Sequence, residues 1–62
     1  MLENFPDLMP LKQVEEILCC RHYTTLRLVN EGRIAGFKLG GRWLVSKQSL
    51  IDYIEERLSE RE

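Results

Sequence analysis

Sixty-two residues make one domain at most. A chain this short buries only about 60% of the surface its unfolded form exposes, which leaves no room for a deep cleft lined by catalytic groups, so the protein is not expected to be an enzyme. The net charge of −1 conceals an uneven distribution, −3 over residues 1–18, +5 over 19–49 and −3 over 50–62, and this predicts one basic face built from the middle of the chain.

The opening Met1-Leu2-Glu3-Asn4-Phe5-Pro6-Asp7 has no basic n-region and no long apolar run, and nothing further on reads as a membrane span. A cytoplasmic protein with no membrane contact is expected. Residues 1–9 read as a loose N-terminal arm. A first helix is predicted over about 10–19, because Leu11, Val14, Ile17 and Leu18 share one helical face and Pro10 suits a first turn. Cys19-Cys20-Arg21-His22 then breaks the pattern. Adjacent cysteines rarely bridge each other, and reduced thiols fit a cytosolic protein. Cys19, Cys20 and His22 supply three candidate ligands within four residues, short of the four that a structural zinc site needs. No metal or cofactor is expected there, and at least one cysteine should pack as a small apolar residue.

A second helix should run from about His22 to Glu31, with Thr25, Leu28 and Val29 inward and His22, Tyr23, Leu26, Arg27 and Asn30 on the other side. Gly32 is placed to end it in the left-handed conformation. Two short helices joined by a tight turn follow the helix-turn-helix plan. Phe37-Lys38-Leu39-Gly40-Gly41-Arg42-Trp43-Leu44-Val45 reads as a hairpin. A three-residue loop, Gly40-Gly41-Arg42, would pair Leu39 with Trp43. It would place Phe37, Leu39, Trp43 and Val45 on the core face, with Lys38 and Leu44 outward. Parity therefore favours this loop over a two-residue one. Ser46 should cap a third helix over about 47–59, with Leu50, Tyr53, Ile54 and Leu58 as its apolar stripe and a mostly acidic outer face of Asp52, Glu55, Glu56, Glu60 and Arg61. The fold class is mainly α with a small β-hairpin, a winged helix-turn-helix over residues 10–59, with 60–62 as a tail.

Leu11 to Ile54 resembles the excisionase-type helix-turn-helix family, a compact relative of the MerR-like winged helix. The resemblance rests on Val14-Glu15-Glu16-Ile17-Leu18, on Thr24-Thr25-Leu26-Arg27-Leu28-Val29-Asn30-Glu31-Gly32-Arg33-Ile34, on Phe37-Lys38-Leu39-Gly40-Gly41-Arg42-Trp43, and on Leu50, Tyr53 and Ile54. It implies that the second helix enters the major groove of double-stranded DNA while the wing lies along the neighbouring minor groove or backbone. The family often has Gly, an aliphatic residue and Ser at the turn where this chain has Cys19, Cys20 and Arg21, so the second helix lacks the expected Ser cap.

The candidate DNA-contacting residues are then Arg21, His22, Tyr23, Thr24, Arg27 and Asn30 on the second helix, Arg33 after it, and Lys38, Gly40, Gly41 and Arg42 on the wing. Arg27 is read as a groove contact. His22 and Tyr23 either meet base edges or pack on the first helix. Arg33 either binds phosphate or stabilises the end of the second helix. Lys38 and Arg42 are read as phosphate contacts, with Gly40 and Gly41 letting the backbone approach closely. The parity of Trp43 places it in the core.

The leading expectation is a recombination directionality factor of a phage or mobile element, acting beside an integrase and as cooperative copies on DNA. A small transcriptional regulator with the same fold is the alternative. A protein-interaction module using the acidic third helix is the alternative of another class.

Overall fold

The computed structural model describes residues 1–60. Three helices pack on a three-stranded antiparallel sheet, in the order β1 (Leu8–Pro10), α1 (Leu11–Leu18), α2 (His22–Asn30), β2 (Gly36–Leu39), β3 (Arg42–Ser46) and α3 (Lys47–Ser59). The sheet order is β1-β3-β2. The core is Met9, Leu11, Val14, Val29, Ile34, Val45 and Leu50, with Thr25 buried among them. No helix among the described residues is long and apolar enough to cross a membrane.

The segment expected to be a loose arm instead supplies a strand. Leu8, Met9 and Pro10 pair with Ser46, Val45 and Leu44. Met9 is fully buried. The start of α3 holds the chain just before it, since the Lys47 backbone N–H donates to the Asp7 carbonyl at 2.8 Å and its Nζ to the Phe5 carbonyl at 3.1 Å. Pro10 is both the last residue of β1 and the N-cap of α1. Lacking an N–H, proline belongs in an edge strand, and this edge strand passes directly into the helix.

α1 ends at Cys19, which takes the left-handed conformation with φ +55°, and the Cys20 N–H returns to the Glu15 carbonyl at 3.1 Å. A residue with a Cβ is strained there by about 1–2 kcal/mol, and glycine is not. Cys19→Gly is therefore expected to raise stability by about 1 kcal/mol, visible as a rise in melting temperature of about 4–8 °C. An unchanged or lowered melting temperature would mean that the turn is not strained.

Arg21 is the N-cap of α2 and makes no side-chain capping bond. The buried Thr25 hydroxyl is satisfied by the Arg21 carbonyl at 3.1 Å. The other end is closed as the sequence predicts. Gly32 has φ +77°, and the N–H groups of Gly32 and Arg33 return to the carbonyls of Val29 and Leu28 at 3.1 and 2.9 Å. This paired closure satisfies two carbonyls that the helix itself leaves free.

The wing departs from the expected register. Leu39 pairs with Arg42, Lys38 with Trp43, Phe37 with Leu44 and Gly36 with Val45. The loop is thus the two residues Gly40 and Gly41, both with positive φ (+57° and +80°). Cross-strand partners share a face, so Lys38 stands with Trp43 and Val45 on the helix-facing side, while Phe37, Leu39, Arg42 and Leu44 point outward. Phe37 and Leu39 are accordingly exposed, at 45% and 63%, and Trp43 is only half-buried against the core.

Two physical terms outweigh the burial argument that favoured the longer loop. Gly-Gly meets the two-residue hairpin's need for positive φ at no steric cost, and the resulting turn matches the strand twist. The core face also needs a small residue opposite Val45. A Cβ on Gly36 would lie 3.0 Å from the Leu44 carbonyl oxygen and 3.1 Å from Cγ1 of Val29, so glycine there lets α2 approach the sheet.

α3 starts and ends where its sequence predicts. Ser46 Oγ accepts from the Ser49 N–H at 3.3 Å, and the Ala35 N–H donates to Ser49 Oγ at 2.7 Å. Leu50 is fully buried, Tyr53 and Ile54 pack at the core's edge, and Leu58 is half-exposed. Arg61 lies outside the described residues.

Candidate nucleic-acid interface

Thr25 and Val29 anchor α2 to the core, which turns the opposite side of the helix outward. Tyr23, Arg27 and Glu31 follow one another there at four-residue steps, with Asn30 alongside. Tyr23 is 72% exposed and the Arg27 side chain 64%, so neither packs on α1. His22 is exposed too, but its Nδ1 lies 2.6 Å from Oε2 of Glu15, which ties the N-terminus of α2 to α1.

Arg27 has a partner of its own. Its Nε donates to Oε2 of Glu31 at 2.8 Å. That hydrogen bond is the main reason the Glu31 carboxyl sits below the ordinary carboxylate range and Arg27 above its own ordinary value. The pair is therefore fully charged at neutral pH and is lost only as pH falls through the lowered Glu31 value. Such exposed pairs contribute little to stability, so its consequence lies in where it puts the guanidinium.

The remaining candidates do not all lie on the α2 ridge. Arg21 is exposed at the N-cap of α2, beside the first-turn N–H groups that no side chain caps. Lys38, Gly40, Gly41 and Arg42 form the end of the wing and are all exposed. The corrected register sends Lys38 to the helix-facing side and Arg42 to the outer side, where the sequence had suggested Lys38 on the outer face and Arg42 in the loop at the tip. Thr24 lies at the flank of the α2 ridge, where it borders an apolar cleft of about 420 Å³ with Leu28, Tyr53 and Ile54. Arg33 is turned away from the ridge and shares a polar recess with Tyr53, Glu56, Arg57 and Glu60 of α3. Lys47, one of the six cations in the basic stretch, is occupied with Phe5 and Asp7.

The thiols of Cys19 and Cys20 do not converge with His22. They donate to the carbonyls of Glu16 and Leu18, and among the described residues no group of three His, Cys, Asp or Glu side chains could hold a metal ion. Sequence reasoning missed the two carboxylates that engage Arg27 and His22 of α2. The Arg27–Glu31 spacing of four was readable as a helical pair. Glu15 meets His22 only because the turn brings α1 and α2 together.

Three helices, with a tight turn between the first two and a hairpin before the third, define a winged helix-turn-helix. The helix-turn-helix domain family matches residues 8–58, from the first residue of β1 to the penultimate residue of α3. The chain belongs to this family of excisionase-like DNA-binding domains. No curated protein and no solved structure matches it.

Proposed function

We propose that this protein is a sequence-specific double-stranded DNA-binding factor that directs site-specific recombination toward excision. It acts by binding, and a partner integrase carries out the strand exchange. The observation that carries the DNA-binding part is the placement of Tyr23, Arg27 and Asn30 on the uncovered side of α2, with a wing beside it ending in two oppositely directed cations. α2 enters the major groove, and the uncapped N–H groups of its first turn, beside Arg21, meet a phosphate. A wing lying in the minor groove has a phosphate strand on either side, and Lys38 and Arg42 reach one each.

The step from DNA binding to excision rests on the family and on scale. One nine-residue helix and one wing cover few base pairs, and a module of this kind buries only about 600–1,000 Å² of protein surface on DNA. Specificity then calls for several copies on adjacent sites or a larger DNA-bound partner. Adjacent copies can bend the duplex at a cost of a few kcal/mol, offset by the added contacts. Such bending arranges sites for an integrase to excise rather than insert.

The test is an in vitro recombination assay with the integrase of the same element. Excision should rise on addition of the protein while integration stays level or falls. No effect on either, with altered transcription from a nearby promoter, would replace this reading with that of a small transcriptional regulator.

A further inference from the structure

We infer that Glu31 is a positioning residue for base recognition: it holds Arg27 by Nε so that the two terminal nitrogens face outward as a fork for a guanine in the major groove. The inference rests on the DNA-binding reading and identifies which base α2 selects.

A guanidinium offers two kinds of paired-donor edge, one formed by Nε with a terminal nitrogen and one formed by the two terminal nitrogens. The hydrogen bond to Glu31 Oε2 at 2.8 Å occupies Nε, and among the described residues no other side-chain hydrogen bond engages this guanidinium. The edge left free is the end-on fork. It matches the O6 and N7 acceptors that guanine presents side by side in the major groove. Arginine on a flexible stem loses rotamer freedom when it binds; a hydrogen bond that already orients the plane lowers that cost in the complex.

The carboxylate also favours a base over a phosphate as the target. Glu31 stands one turn beyond Arg27 on the same ridge. Set against the phosphate backbone it would be repelled. At the floor of the major groove, cytosine N4 offers it a donor. Arg27 lies in the last turn of α2, opposite Thr25 and Val29, and so points toward the groove floor rather than toward its walls when α2 lies in the groove.

Selection of bound duplexes from a fully randomised library, run with wild type and with R27K, E31A and E31Q, tests this. Glu31→Ala and Glu31→Gln both remove the negative charge, but only glutamine keeps an oxygen that can accept from Nε. Arg27→Lys keeps the positive charge and loses the fork. Wild type should enrich sites with a required guanine. E31A and R27K should lose that preference by about tenfold, E31Q should retain most of it, and neither Glu31 variant should bind random duplex more weakly than wild type. All these side chains are exposed, and circular dichroism should show all four proteins folded. An E31A variant that selects the same guanine as strongly as wild type would overturn the inference, as would E31A and E31Q behaving alike. Failure of wild type to enrich any duplex would instead overturn sequence-specific binding itself, and this inference with it.

Discussion

A Met9→Ala variant is expected to lose about 2–5 kcal/mol of stability and to be largely unfolded at 37 °C. Met9 is the innermost residue of β1, fully buried and paired with Val45 in the same core as Ile34 and Leu50. Removing its side chain deletes buried apolar surface and leaves a cavity that neighbouring side chains fill only in part. A domain of this length has roughly 3–9 kcal/mol of stability to lose, so one such substitution removes much of it. Leu8→Ala is the control. Leu8 is the adjacent residue, but it lies on the outer face and is 47% exposed, so its loss should cost well under half as much. Urea denaturation of the three proteins gives the comparison. Equal midpoints for Met9→Ala and wild type would mean that the N-terminal segment does not pack as a strand.

The triple variant Arg27→Ala, Lys38→Ala, Arg42→Ala is expected to bind duplex DNA about 10²–10³-fold more weakly at 0.1 M salt, with its fold unchanged. Each phosphate neutralised by Lys38 or Arg42 releases close to one condensed counterion, which is worth about one decade of affinity at that salt concentration, and the Arg27 base contact adds about 1–3 kcal/mol. Three lost contacts multiply. All three side chains are exposed, and among the described residues the only ion pair lost with them is the Arg27–Glu31 pair on the surface, so thermal stability should hold. Fluorescence anisotropy with a labelled duplex measures the affinity, and circular dichroism the fold. Wild-type affinity in the triple variant would remove both α2 and the wing from the DNA interface.

The parts of the fold that were legible in sequence are those with local chemical markers. Gly32 closes α2 and Ser46 opens α3, each by a hydrogen-bonding pattern contained within a few residues. The register of the wing was not legible from parity, because two local preferences conflict. Burying Phe37 and Leu39 calls for three loop residues, while Gly40-Gly41 favours two. The outcome depends on Gly36, whose missing side chain admits Val29 of α2, and that contact is visible only once α2 is packed. β1 was hidden for another reason: three residues ending in proline give no alternation to read. Within the candidate site, helical periodicity sufficed to expose Tyr23, Arg27 and Asn30. It could not show that Arg33 turns to α3, that Lys47 is held by the N-terminal segment or that Glu15 engages His22, since each depends on elements distant in sequence.

Salt dependence of duplex binding tests the central claim most directly. Arg21, Arg27, Lys38 and Arg42 are the exposed cations carried by α2, its N-cap and the wing. If Arg21, Lys38 and Arg42 neutralise about three phosphates while Arg27 meets a base, log K against log salt concentration should fall with a slope of about −2.5 to −3 between 50 and 200 mM salt. A slope near zero, or no binding to any duplex at the lowest salt, would contradict the assignment of this face to DNA.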